Sequence, residues 1–265
     1  MRSRTQSFLT RRYRAEGSVQ VPDDLIVEEP LLIHLDGNVL SSTMRTPGHD
    51  FELAAGFCLS EGVLGDAEIV GIRHYATAAA TDSDVNAVTV ETGGRAPVPT
   101  ARLGSTSSSC GICGIEAVDQ LTERLRPLSL HDPWSMKLLL SLPERCDDVQ
   151  GLFKATGAVH AAAAFDRTGR LVVGREDIGR HNAVDKVVGR LLLDGALPAT
   201  ELALFVSGRA SFEMVQKAWA GGFTALVAVS APSALAVDTA RHAGMTLIGF
   251  ARDGGGNVYS PERYA

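Results

Sequence analysis

The distribution of apolar positions divides the chain into two patterns. Leu31-Leu32-Ile33-His34-Leu35 and Val39-Leu40-Ser41-Ser42-Thr43-Met44 flank Asp36-Gly37-Asn38, which predicts a hairpin. Pro47-Gly48 breaks the chain. Phe51, Leu53, Ala54, Phe57, Cys58 and Leu59 then recur at helical spacing, which predicts a helix over 50–64 with Asp50 as N-cap. Extended segments follow near 69–76 and 86–91, closed by Gly93-Gly94 and Pro97-Val98-Pro99. Helical periodicity returns at 115–125 and 135–148, and a second hairpin is expected over 158–165 and 171–176 around Asp166-Arg167-Thr168-Gly169. Beyond it, helices over 182–193, 212–220 and 233–243 alternate with strands over 202–206, 225–229 and 246–251. Such alternation with short connections predicts a largely parallel, helix-covered sheet.

The fold class is therefore α/β, or α+β overall. Residues 1–15 are expected to form a disordered basic tail, 16–104 a small α+β unit and 105–265 a three-layer α/β domain. The tail carries Arg2, Arg4, Arg11, Arg12 and Arg14 with no acid before Glu16, and a clamp on a phosphate-bearing ligand or an acidic partner is its minor reading. A net charge of -6 argues against a general nucleic-acid binder. No apolar run is long enough to span a bilayer and the start lacks the apolar segment of a secretory signal, so the expected location is cytoplasmic. Four cysteines make no disulfide scaffold, and Cys58 and Cys146 lie in apolar helical patterns as core thiols.

The remaining two thiols stand in Ser107-Ser108-Ser109-Cys110-Gly111-Ile112-Cys113-Gly114. Glycines leave the sulfurs unobstructed, and a helix start just beyond favours thiolate over thiol. Cys110 reads as a nucleophile and sulfur carrier, with Cys113 as its neighbour. Three strand-to-helix junctions offer backbone N–H groups and polar side chains at the sheet's carboxyl edge, where ligands of such sheets gather. They are Asp177-Ile178-Gly179-Arg180-His181-Asn182, Ser207-Gly208-Arg209-Ala210-Ser211 and Ser230-Ala231-Pro232-Ser233. N-capping by Asn182, Ser211 and Ser233 is the plainer account, but capping alone does not ask for Arg180, His181 and Arg209. The glycine turn 249–257 reads equally as a surface hairpin or as a loop approaching a ligand. His160, His34, His49, His74, His131 and His242 read as structural.

These segments together resemble the FdhD/NarQ accessory sulfurtransferases. The resemblance is carried by Thr46-Pro47, Glu52-Leu53-Ala54-Ala55-Gly56-Phe57, Glu61-Gly62, the Cys110–Cys113 motif, Thr156-Gly157-Ala158-Val159-His160, the run from Asp177 to Lys186, and Ser207–Met214. Ser230–Ser233 and the 249–257 tail complete it. It implies a carrier that takes sulfur from a cysteine desulfurase as a persulfide. The carrier delivers it to the molybdenum cofactor, Mo-bis(molybdopterin guanine dinucleotide), before insertion into formate dehydrogenase. By position Cys110 bears the persulfide and Cys113 assists. The cofactor-binding stretch falls on Phe250, Ala251, Arg252, Asp253, Gly254 and Gly255, joined at the junctions by Ser207, Arg209 and His181. The resemblance further implies a cytidine-deaminase-like fold for the C-terminal domain and a homodimer.

A zinc deaminase needs His/Cys-x-Glu at one helix start and Pro-Cys-x-x-Cys at the next. Those places hold His181-Asn182-Ala183 and Ser207–Ser211, so no zinc is expected. Two rivals stand beside the carrier: a thiol–disulfide oxidoreductase using Cys110 and Cys113, and a zinc-binding module, which would need a second ligand pair.

Overall fold

Hairpins built on glycine turns and one long helix organise the N-terminal part of the computed structural model, which describes residues 3–74, 86–98, 119, 121–129 and 132–260. Strands β1 (Thr5–Arg14) and β2 (Gly17–Ile26) form a separate two-stranded antiparallel ribbon. The expectation of a disordered basic tail over 1–15 is thereby corrected. Its arginines sit on a strand whose partner begins at Gly17, so the boundary at residue 16 falls between two paired strands. Strands β3 (Glu29–Leu35) and β4 (Asn38–Arg45) pair across the expected Asp36-Gly37 turn, where both residues have positive φ. β5 (Gly71–His74) and β6 (Ala87–Glu91) complete a sheet of order β4-β3-β6-β5.

Helix α1 (Asp50–Ser60) packs Leu53, Ala54, Phe57 and Cys58 against Leu31, Ile33, Val88 and Val90 of that sheet. It ends four residues earlier than its apolar spacing suggests. Asp50 is its first helical residue rather than its cap, because the buried Arg45 guanidinium holds both Asp50 oxygens at 2.9 Å.

In the C-terminal part, the helix expected over 135–148 is broken into α2 (Met136–Leu140), α3 (Leu142–Arg145) and a 3-10 turn, Cys146–Val149. Pro143 has no N–H to continue the ladder and starts a new helix instead. A short α4 (Gly151–Thr156) follows. Strands β7 (His160–Asp166) and β8 (Leu171–Asp177), helix α5 (Arg180–Leu193), β9 (Leu202–Val206), α6 (Phe212–Ala220), β10 (Ala225–Ala228), α7 (Ala234–Ala243), β11 (Thr246–Arg252) and β12 (Gly255–Ser260) complete the chain. Sheet order is β12-β11-β10-β9-β7-β8.

Only β9, β10 and β11 are mutually parallel; β7, β8 and β12 pair antiparallel. The expected "largely parallel" sheet is thus a mixed one, because hairpins at both ends add reversed strands to a parallel centre. Alternate residues serve its two faces. Ala162, Ala164, Leu204, Val206, Leu226 and Leu247 meet α5, α6 and α7. Ala161, Ala163, Phe165, Phe205, Val227 and Ile248 meet α2 and α3, giving three layers.

The two parts share an interior. α1 and α5 touch backbone to backbone: a Cβ on Gly56 would lie 1.9 Å from the Asp185 carbonyl oxygen, and one on Gly189 1.8 Å from that of Glu52. Glu52 takes a bidentate pair of bonds from Arg175 on β8, at 2.5 and 2.7 Å. Ser60 donates to Asp185 at 2.9 Å, and Lys217 of α6 binds both oxygens of Asp185.

Candidate functional site at the carboxyl edge of the sheet

The parallel strands end together, and the loops leaving them are stitched sideways. Ser207 exchanges two 2.9 Å bonds with the backbone of Ala161: its N–H donates to the carbonyl and its Oγ accepts from the amide. Ser230 N donates to the Gly208 carbonyl at 3.3 Å, Ser233 N to that of Ala210 at 3.1 Å, and Phe250 N to that of Ser230 at 3.2 Å. A row of turns from β7 to β11 therefore holds one shape. The second and third junctions and Phe250 come together, as the sequence suggests. Ser233 caps α7, accepting from Ala236 N, whereas α5 and α6 begin at Gly179 and Ser211 without a side-chain cap.

Charge gathers where those two helices start. Arg209 is exposed, and Arg180 and His181 are half-buried. Arg180 Nε and His181 Nε2 are shielded from solvent yet reach no hydrogen-bond partner. His181 Nε2 lies 3.9 Å from a Glu213 oxygen, an ion-pair separation. The neighbouring imidazole, ahead of the opposing effect of burial, holds the Glu213 carboxyl at about 2. His160, at the start of β7, packs against Gly208. Burial first, then the charges of Arg180 and His181, lower its pKa against the pull of Asp177. His160 and Ser207 line a cavity of about 470 Å3, together with Gln150, Phe153, Val159 and Val229. Sequence reasoning treated His160 as structural and passed over Glu213. His160 is far along the chain from Ser207 and Gly208, and the antiparallel addition of β7 beside β9 brings it to this edge; Glu213 lies within the Ser207–Met214 run, but the His181 it faces is 32 residues before it.

The first junction divides its residues between two tasks. Asp177 is fully buried and accepts from Thr46 N (3.1 Å), Gly179 N (2.8 Å), Asn182 Nδ2 (3.0 Å) and Lys186 Nζ (2.6 Å). Asn182 also donates to the Met44 carbonyl and Lys186 to that of Thr46. These residues bolt the end of β4 to the C-terminal sheet. Arg180 and His181, between them, face the edge.

The tail stretch is likewise divided. Phe250 has φ +55° beside Ser230 and is 40 % exposed, so its ring is open to a ligand. Ala251 is buried in the core under α2 and α3, and its methyl contributes to packing rather than to any ligand contact. Arg252, Asp253, Gly254 and Gly255 make the exposed β11–β12 turn, with Gly254 N donating to Glu144 Oε1 at 3.3 Å.

Cys110 and Cys113 lie outside the described residues. Cys58 and Cys146 are buried, and burial, aided by nearby carboxylates, pushes each thiol up to about 12, so neither supplies a thiolate near neutral pH. Among the described residues no group of three His, Cys, Asp or Glu side chains is arranged to hold a metal ion. No helix among them is long and apolar enough to cross a membrane.

Comparison with known proteins adds the following. The FdhD/NarQ family model matches residues 26–265. The sulfur carrier protein FdhD of Streptomyces avermitilis is 48% identical over 260 residues, covering 93% of this chain and 91% of its own. That of Streptomyces coelicolor is 47% identical over 254 residues, covering 92% and 90%. That of Anaeromyxobacter dehalogenans is 43% identical over 252 residues, covering 91% and 88%. A crystal structure described as that of a formate dehydrogenase accessory protein from Desulfotalea psychrophila has the same fold, with a TM-score of 0.77 over 98% of both chains at 24% identity.

Proposed function

The chain belongs to the FdhD/NarQ family, and from that premise we propose that it is a cytoplasmic sulfur carrier serving formate dehydrogenase. The observation that carries this reading is the likeness, at 42–48% identity over about nine-tenths of the chain, to proteins named as sulfur carriers. Cys110 thiolate attacks the outer sulfur of a cysteine desulfurase persulfide and becomes Cys110–S–SH, releasing the desulfurase thiolate. Cys113 stands by to assist or relay. The acceptor is the cofactor Mo-bis(molybdopterin guanine dinucleotide), handled as cargo, and formate dehydrogenase is the client.

The carboxyl edge suits that cargo. Its phosphates are anionic, and the edge presents Arg180, His181 and Arg209 around two uncapped helix starts. Its guanines are flat, and Phe250 offers an exposed ring. Ser207 shapes the loop, and the exposed turn from Arg252 to Gly255 lies beyond Phe250.

The test is mass spectrometry after incubation with a cysteine desulfurase and cysteine. A gain of one sulfur atom on the wild type, absent from Cys110→Ala, is the expected result. An internal Cys110–Cys113 disulfide as the sole product would instead favour a thiol–disulfide oxidoreductase.

A further inference from the structure

A carboxylate stands where an anionic cargo would ask for cations. Glu213 lies in the first turn of α6, and its oxygen reaches across to 3.9 Å from His181 Nε2 at the head of α5. An acid in a first helical turn is ordinary, since it complements the helix dipole. Two features go beyond that. Glu213 serves two helices at once, because α5 has no acid in its own first turn and opens on Arg180 and His181 instead. The pair is also loose: 3.9 Å is within ion-pair range but too long for a hydrogen bond, and the shielded His181 Nε2 makes none. Asp177, by contrast, is committed to Lys186 Nζ at 2.6 Å and to three further N–H groups. Glu213 and His181 remain 27 % and 26 % exposed, so a ligand can reach both.

We propose that Glu213 is an internal anion of this edge, one that an arriving phosphate has to displace from His181 and the α6 start. The inference rests on the reading of the edge as the seat of a phosphate-bearing cargo. It makes Glu213 a specificity-determining residue that opposes binding, not an aid to it. Held at about 2, the carboxyl is an anion across the whole neutral range. It repels any anion that enters, and parting it from His181 is a cost common to all of them. A ligand that touches only the head of α6 does not overcome that cost. One that also engages Arg180, Arg209 and the exposed ring of Phe250 does, so the edge discriminates by the number of contacts a ligand can make at once.

The experiment is calorimetric titration of the full chain with guanosine diphosphate, a fragment of the cargo. Glu213→Gln keeps the shape and removes the charge. It is expected to bind the diphosphate about tenfold more tightly than wild type, the effect of losing one like charge a few ångströms from a partly exposed phosphate. A gain of this sign cannot come from a damaged fold. Glu201→Gln makes the same change in net charge at the opposite end of β9, beside Arg167, and is expected to bind as wild type does. Unchanged or weaker binding by Glu213→Gln would make Glu213 a support of α6 or of His181 and overturn the proposal alone. An equal gain in Glu201→Gln would trace the effect to net charge and overturn it as well. Absence of binding in all three proteins overturns the reading of the edge itself, and the proposal with it.

Discussion

Gly189 stands mid-helix in α5, where alanine is ordinarily the better residue by about 0.5–1 kcal/mol. Here the substitution should have the opposite sign. A Cβ at Gly189 falls 1.8 Å from the Glu52 carbonyl oxygen and 2.7 Å from Gly56 N, both backbone atoms of α1. Restoring ordinary contact moves the helices apart by roughly 1.5 Å, and overpacking on that scale costs about 1–3 kcal/mol. The shift also strains bonds that span the same interface, Glu52–Arg175 and Ser60–Asp185. We expect Gly189→Ala to destabilise by about 3 kcal/mol, which at about 2–4 °C per kcal/mol lowers the melting temperature by roughly 6–12 °C. Gly151, the first residue of α4, is the control: nothing lies within 4 Å of its would-be Cβ. Gly151→Ala should be neutral or stabilising by up to about 1 kcal/mol. Denaturant unfolding of the three proteins decides the matter. If Gly189→Ala matched or exceeded wild-type stability, the close helix contact would be wrong.

Three further predictions concern buried charge. Lys186→Met leaves the Asp177 carboxylate buried without its cation, and should cost about 3–5 kcal/mol in urea unfolding. Glu52 titrates at about 2: burial pulls upward most strongly, but the bonds and charges of Arg175 and His49 prevail. With the folded value below the unfolded one, its contribution is complete above pH 4.5 and is lost as pH falls toward 2. The size is on the order of 2–3 kcal/mol, so Glu52→Gln should flatten the acid limb of a stability–pH curve. In a Cys110→Ala/Cys113→Ala protein, Cys58 and Cys146 should resist thiol reagents at neutral pH until denaturant is added; rapid native-state labelling would contradict their burial.

Much of the fold was legible. β9 and α6 coincide with their expected spans because small and apolar residues there are strictly bounded by turns. The failures have physical causes. Apolar spacing runs through Pro143 unbroken, and only the missing N–H tells that the helix restarts. The ribbon escaped notice because neither strand buries a clean alternate row, which is the signal that identifies strands. The site was harder still. Turns at strand ends are rich in the same residues whether they bind or bolt. Asp177, Asn182 and Lys186 proved to be bolts, while Arg180 and His181 in the same run face the edge. The partners that decide this, Met44 and Thr46, lie more than 130 residues away.

The glycine contact and the Asp177–Lys186 bolt bear on what happens when the backbone is severed. Residues before 98 and after 121 grip one another through α1, α5 and the end of β4. A protease cut within the connection between them would yield two fragments that travel together through a sizing column and part only on denaturation. Expressed separately, each fragment would display a raw helix face and stranded charges, and would be recovered folded only in the company of the other.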